Sequence, residues 1–419
     1  MSSDEAGLGL PACALGCVTA ACPLSDLACV CGTGHYGVDD ARSRCIIEAC
    51  GFPESLAVRN GTATACGAPE RDASARFDAM VAAMFVLTTV LVVSRLVYRQ
   101  FFSRRRRLAL DDWLVLLTAL VGVPCVGVLL AGLNTHGLGR DAWALPPGHV
   151  AAFARYFYVV EIMYLVTITL VRLTLTIFYL DIFSARRARL LLWATVVFHV
   201  ASAVAFVVKV ILQCLPVEHN WTRFDDVVDR RREGRCVNIY ASTWANAALG
   251  VAVDLWLLAI PLTQLKRLNL HWKKKVGATL MFIAGTIGTV ISILRLRSIF
   301  IFGHATNPTW DYFELVWWSL IEVHVGMMCT CLPTLRLILV RMWPHIFGAG
   351  PPQPTKASPG RAGRPYGSQG HLESATSDDS CPWGLYETDD AGARGAHLEA
   401  QVDGTGAVAE VKLPSASSL

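Results

Sequence analysis

Charge is scarce in this chain of 419 residues: Asp, Glu, Lys and Arg make up 17% of it, against about 25% in an ordinary soluble domain. With 53% apolar residues and a mean hydropathy of +0.43, that scarcity excludes a string of soluble domains and leaves a polytopic membrane protein. The net charge of +4 is too small to argue for nucleic acid as a partner. Catalytic signatures are missing as well. There is no His-Glu-x-x-His, no Gly-x-Ser-x-Gly and no phosphate-cradling glycine loop, and histidines such as His136, His149, His199 and His219 are scattered. The expectation is therefore a protein that is not an enzyme. Met1 to Leu10 lacks the charged start and hydrophobic core of a cleavable signal peptide. That leaves two alternatives, export of the N-terminal segment by the first span or a chain that starts downstream of the true beginning. Ser415 to Leu419 offers neither a prenylation box nor the hydrophobic tail of a glycolipid anchor.

Cysteine is distributed unevenly. Cys13, Cys17, Cys22, Cys29, Cys31, Cys45, Cys50 and Cys66 crowd the first 66 residues, a density and an even count that suit four disulfides in an oxidising space. A zinc module is the alternative, but the stretch holds a single histidine, His35, and no pair of Cys-x-x-Cys knuckles.

Seven apolar stretches follow, each long enough for a hydrocarbon core of roughly 30 Å: Phe77 to Tyr98, Trp113 to Leu133, Phe153 to Phe178, Leu190 to Leu212, Thr243 to Leu265, Val276 to Phe300 and Phe313 to Val340. The connections alternate in charge. Arg99 with Arg104 to Arg107, then Arg186, Arg187 and Arg189, then Lys266, Arg267 and Lys273 to Lys275 lie in alternate loops, which the positive-inside rule places in the cytoplasm. The N-terminus is then extracellular and the C-terminus cytoplasmic. Two sequons, at Asn60 and Asn220, mark glycosylation candidates on the outer side, whereas Asn307-Pro308-Thr309 is excluded by its proline. Cys214 and Cys236 bracket the fourth connection and could close it with a disulfide. Beyond residue 345 the chain turns to Gly, Pro, Ser and scattered acids, the composition of a disordered cytoplasmic tail over residues 346–419.

Ionisable residues inside spans are expensive and face one another or a wet cavity. By distance from the span ends, Glu161, Arg295, Arg297, Glu322 and His324 fall in the outer half, Asp254 near the midplane, and Arg172 and Arg336 nearer the inside. An ion-pair network at the floor of an extracellular pocket, walled by Trp317 and Trp318, is one reading; residues that only set helix packing and register are the other. Lys209, near the outer end of the fourth span, is read as snorkelling to the interface.

The spacing of Pro11-Ala12-Cys13, Cys17, Cys22, Asp26, Cys29-Val30-Cys31, Cys45, Cys50 and Cys66 resembles the CFEM domain of fungal extracellular membrane proteins. The resemblance implies the pairs Cys13 with Cys50, Cys17 with Cys45, Cys22 with Cys29, and Cys31 with Cys66, where sequence alone leaves 105 pairings open. It also implies that Asp26 could serve as an axial ligand to ferric haem iron, the alternative being that Asp26 caps a helix. The rest resembles the fungal rhodopsin-like seven-span domain of GPCR-like receptors. The residues that carry this are Asp111-Asp112-Trp113, His136-Gly137-Leu138-Gly139, Leu175-Thr176-Ile177-Phe178-Tyr179-Leu180, Cys214-Leu215-Pro216, Cys236, Asp254 with Pro261, and Glu322 with Leu332-Pro333-Thr334-Leu335-Arg336. No retinal is expected, because the last span contains no lysine for a Schiff base. Nor do Asp-Arg-Tyr or Asn-Pro-x-x-Tyr occur where animal-type receptors carry them.

Together these readings predict an all-α chain: an extracellular CFEM module over residues 1–70, a seven-transmembrane bundle over 77–345, and the tail. The implied function is a plasma-membrane receptor for an extracellular cue, signalling to a heterotrimeric G protein or another cytosolic partner and surrounded by membrane lipid. Capture of haem or iron by the module is the alternative.

Overall fold

The computed structural model describes residues 10–342 apart from 21–22, 24–25, 33–39, 103–107, 226–233, 266–271 and 303–306. The expected disordered tail lies outside the described residues. Four short helices open the chain, α1 (Ala12–Thr19), α2 (Leu27–Gly32), α3 (Asp40–Cys50) and α4 (Phe52–Ala65). Asp26 starts α2 by accepting the Cys29 amide proton at 3.0 Å, the side-chain cap that shortens the list of unsatisfied amides at a helix start. The module's apolar centre is small: Leu10, Ala14, Val18, Ile46 and Val58 are buried around Cys50. So few apolar side chains cannot offset the ordering of the module alone. Disulfides Cys13–Cys50, Cys17–Cys45 and Cys31–Cys66 supply the missing constraint. The pair expected for Cys29 involves Cys22, which lies outside the described residues.

Seven long apolar helices follow: α5 (Ser74–Val97), α6 (Leu110–Gly127), α7 (His149–Ile182), α8 (Arg186–Ile211), α10 (Ile239–Leu265), α11 (Trp272–Phe302) and α12 (Pro308–Met342), with the one-turn α9 (His219–Thr222) between α8 and α10. Each is long and apolar enough to cross a membrane. Large apolar side chains such as Val86, Val90, Leu120, Leu190 and Val197 point away from the bundle, as a lipid-facing surface requires. The protein is a multi-pass membrane protein. At 34 and 35 residues, α7 and α12 run to about 50 Å, well beyond a hydrocarbon core of about 30 Å.

The helix starts follow local rules. Acids in the first turn favour the positive end of the helix dipole, and Asp112 in the first turn of α6 reaches back to the Ala109 amide at 3.2 Å. Asn307 precedes α12 with Pro308 at its first position, where a missing amide proton costs nothing. Pro124 interrupts the ladder of α6, and the helix widens into a π turn at Val128–Asn134. Strands β1 (Cys214–Leu215) and β2 (Arg235–Cys236) form a two-residue antiparallel ribbon closed by the Cys214–Cys236 disulfide.

Packing inside the bundle is apolar toward the module end, where Phe77, Val81, Leu129, Leu133, Phe153, Val316 and Leu320 meet. The connection after α6 is stitched to its neighbours through backbone groups. Gly139 donates to the Thr309 carbonyl and accepts from the Ala73 amide, both at 3.0 Å. Its φ of +78° and the Phe313 ring, 2.9 Å from where a Cβ would sit, leave room for glycine alone.

Candidate functional site

A charged network crosses the middle of the bundle. Arg172 on α7 donates to both oxygens of Asp254 on α10, at 3.0 and 3.1 Å, and to Glu322 Oε1 on α12 at 3.3 Å. Arg295 on α11 donates to Glu322 Oε2 at 2.8 Å. Ser292 bridges the two acids, 2.6 Å from Asp254 Oδ2 and 3.1 Å from Glu322 Oε1, and the Tyr164 hydroxyl reaches Glu322 Oε2 at 2.9 Å. Two positive and two negative groups thereby cancel, and each carboxylate receives several donors, the condition under which buried charge is tolerated. Gly250 permits the approach, because a Cβ there would stand 3.1 Å from an Arg172 nitrogen.

Toward the module end this network borders a cavity of about 380 Å³, within the usual size range of small-ligand sites. Its walls are mainly apolar and aromatic, including Phe153, Phe157, Phe206 and Tyr312, while Arg295 and Tyr164 form its polar floor. Glu161 lines it as well and faces Lys209 and Gln213, and Lys209 is 3.4 Å from Gln213 Oε1. Lys209 therefore reaches toward the outer end of α8, the direction the snorkelling reading expects, while lining the cavity.

Other expectations are corrected. Trp317 and Trp318 do not line the cavity; Trp317 packs on Phe313 and beneath Arg76. Arg297 is exposed on the outer surface of α11. It lies two residues from Arg295, about 200° around a helix, so both cannot face inward. His324 is buried but separate from the network, with Nδ1 2.9 Å from the Thr88 hydroxyl. Asn60 is exposed on α4, in a helix rather than a loop, and the Thr62 hydroxyl of its sequon is buried against the Val58 and Arg59 carbonyls. Asn220 is 5% exposed, and its amide nitrogen donates to the Val217 carbonyl at 2.9 Å. A glycan on that nitrogen has no room, which removes Asn220 as a glycosylation candidate. Asp26 is exposed. Cys13, Cys50 and Glu54 lie near one another, but the disulfide between the two cysteines removes the thiolates a metal would need.

A second charged cluster, unforeseen as a unit, sits at the opposite end of the bundle from the module. Arg95 on α5, 1% exposed, contacts Asp111 and the Thr330 carbonyl and donates through Nε to Asp112 Oδ1 at 2.9 Å. Arg99, one turn further on, reaches Asp111 at 3.3 Å. In sequence the two acids follow the arginine run Arg104 to Arg107, which draws attention from their partner on α5. The available clue is Arg95 itself, an ionisable residue inside the first apolar span.

At the module end the contacts run from the disulfide domain to the bundle. Arg59 lies over the Trp143 ring at 4.9 Å, and Phe52 packs edge-on to Phe224, a cavity residue, at 4.9 Å. Arg71 pairs with Asp141 and stacks on Trp310 at 4.3 Å. Asp72 faces Arg140 at 3.4 Å. Hydrogen bonds from the Ser74 hydroxyl and amide, then the Arg140 charge, hold the Asp72 carboxyl below its ordinary range.

These features define a seven-helix membrane protein with a charge-balanced polar centre, an internal cavity and a disulfide-bonded N-terminal module. The chain belongs to the fungal rhodopsin domain family, whose model matches residues 94–341, and a CFEM domain matches residues 7–67. Among curated proteins it is similar to a SAT4 family membrane protein of Emericella nidulans, 28% identical over 53% of this chain and 54% of that one. It is also similar to Receptor GIN3 of Arthrobotrys oligospora, 21% identical over 54% of this chain and 53% of that one. A third relative is the polyenoic acids biosynthesis gene cluster protein Ba17b of Metarhizium anisopliae, 23% identical over 65% and 76% respectively. The chain spans about half the length of the first and second of these relatives. No solved structure matches it.

Proposed function

We propose that the protein is a plasma-membrane receptor in which a ligand held in the bundle cavity biases the helix arrangement and a cytosolic partner, a heterotrimeric G protein or another signalling protein, reads the result. The observation that carries this reading is the shared floor: Arg295 and Tyr164 line the cavity and also hold Glu322, which joins α7, α11 and α12 and, through Arg172 and Asp254, α10. A ligand that moves Arg295 thereby acts on four helices at once, and a preference for one arrangement shifts the population toward it. The Arg95 cluster, which joins α5, α6 and α12 at the far end, is placed to respond. In this reading the module faces outward, an orientation supported by the alternating Lys and Arg loops, and the tail faces the cytosol.

The test uses full-length protein in nanodiscs with a fungal heterotrimeric G protein. Acceleration of GTPγS uptake, altered by Arg95→Gln, supports the reading. No acceleration by the wild type or the variant, together with no cytosolic partner cross-linked to the inner loops, counts against it. Orientation is tested separately with tags at the N-terminus and in the loop between Cys214 and Cys236, which should be accessible on intact cells.

Haem capture by the module is the second reading, favoured by the exposure of Asp26 at the start of α2. A carboxylate is a hard donor suited to ferric iron. One oxygen is engaged as the helix cap and the other could hold the metal. Ferric haem added to the full-length protein should shift its Soret band in the wild type and not in Asp26→Ala; an unchanged wild-type spectrum removes this reading.

A further inference from the structure

We infer that the cavity takes a long-chain carboxylate, a single negative charge on an apolar tail, with its head at Arg223 near the module end and its tail along α5 and α6. The inference rests on the receptor reading for its signalling consequence only.

The first observation concerns charge. Three cations line the cavity, Lys209, Arg223 and Arg295, against one acid, Glu161. Arg295 is spent on Glu322, and Lys209 and Glu161 act on each other. Arg223 lies 4.6 Å over the Phe224 ring and meets no carboxylate among the described residues. Its acidic neighbours Glu218 and Asp225 do not line the cavity and are engaged with other groups. The lining therefore carries one positive charge that no acid balances. Arg223 is exposed to water, yet its charge also reaches the hydroxyl of Tyr312, a cavity residue, so it stands where the cavity meets solvent. A second exposed cation, Arg155, lies over the ring of Trp221 at 5.9 Å and likewise meets no carboxylate among the described residues. Such a mouth draws an anion and repels an ammonium. A carboxylate head placed there keeps part of its hydration and escapes the cost of a fully buried charge.

The second observation concerns shape. Lining residues run from Val150 to Thr167 on α7 and from Pro308 to Met327 on α12, about 25 and about 28 Å along the two axes. A cavity of about 380 Å³ drawn out over that length suits a chain better than a compact molecule. Where α5 and α6 supply the lining it is apolar, with Val92, Leu96, Leu116 and Val123. The Thr88 and Thr118 hydroxyls in that part are turned to His324 and to the Leu114 carbonyl. An apolar tail buried against these walls gains about 25 cal/mol for each Å² removed from water, a gain that a small anion held by Arg223 alone would forgo.

The test uses the full-length protein in phosphatidylcholine nanodiscs, in mildly alkaline buffer, and a palmitic acid carrying a diazirine and an alkyne handle. The methyl ester and the trimethylammonium of the same chain serve as comparisons. The acid should label cavity positions more strongly than either, and unlabelled palmitate should compete. Arg223→Gln should weaken that competition about fivefold, the worth of an exposed ion pair, and leave competition by the ester and the thermal midpoint unchanged; Arg223→Lys should restore the preference for the acid. Added salt should narrow the acid's lead in the same way. Ala154→Phe, which fills the cavity from a lining position, should remove labelling by all three probes. An acid that labels no better than the ester or the ammonium, a preference untouched by Arg223→Gln, or labelling confined to the lipid-facing surfaces would overturn the inference. Displacement of the probe by phosphatidylserine in the disc would assign the site to a bilayer headgroup and overturn it as well. Labelling as expected with no effect of palmitate on GTPγS uptake leaves the inference standing and counts against the receptor reading alone.

Discussion

The most demanding consequence of the mid-bundle network is non-additivity. In the wild type Asp254 accepts from Arg172 twice and from Ser292 once. Replacing Arg172 with Met removes two of those donors and, among the described residues, the only cation that touches the carboxylate, while Glu322 retains Arg295 and Tyr164. The strain of the change therefore falls on Asp254, a half-buried carboxylate left without its counter-ion, at a cost of up to about 3 kcal/mol, the low end of the range for a broken buried pair. Asp254→Leu alone leaves Arg172 with its single 3.3 Å contact to Glu322 and should cost a similar amount. The double variant removes both charges and should return to within about 1–2 kcal/mol of the wild type, because an apolar pair of similar volume often replaces a buried ion pair at little cost. Arg172→Lys should fall between, since an ammonium cannot bridge two carboxylate oxygens as a planar fork does. Equilibrium unfolding in mixed micelles, read by tryptophan fluorescence for the wild type, both single variants and the double, closes the cycle. Single variants that cost less than about 1 kcal/mol, with an additive double, would refute the picture of mutual dependence.

Three further predictions concern other regions of the molecule. Removing the Cys31–Cys66 bridge should destabilise the module by about 2–5 kcal/mol, measured by the urea dependence of protease cleavage between residues 10 and 66, with Cys214→Ala/Cys236→Ala affecting only cleavage in the ribbon loop. Gly139→Ala forces a positive φ on alanine and crowds Phe313; a loss of about 1–2 kcal/mol is expected, and a thermal midpoint equal to the wild type's would contradict the assigned geometry. Asp72, whose carboxyl is held below its ordinary range, contributes stability above that range and loses the contribution as pH falls through the folded value. At 56% exposure its side chain is well screened, so the gap in thermal midpoint between wild type and Asp72→Asn should be small at neutral pH and close in acid.

Much of this protein is determined locally. Seven apolar runs of sufficient length must become helices in a bilayer, because no other single segment satisfies its own backbone there, and their order is legible in the chain itself. Cysteine density in the first 66 residues calls for disulfides for an equally local reason, the smallness of the module's core. That intramembrane charges must find partners is also readable; which partners they find is not. Depth along a helix can be counted from its ends, but the direction a side chain faces depends on rotation about the axis, and rotation is set by the packing of all the neighbours. Arg172 lies nearer the inside by that count, yet it bridges Asp254 and Glu322. Arg297 has the right depth and faces outward, and His324 has the right depth and turns to Thr88. The contact of Arg95 with the Thr330 carbonyl, the aromatic walls of the cavity and the cover that Phe52 places on Phe224 bring together residues far apart in the chain. Tertiary structure alone decided them, since contact across long loops follows from how helices and module pack and not from any spacing in sequence.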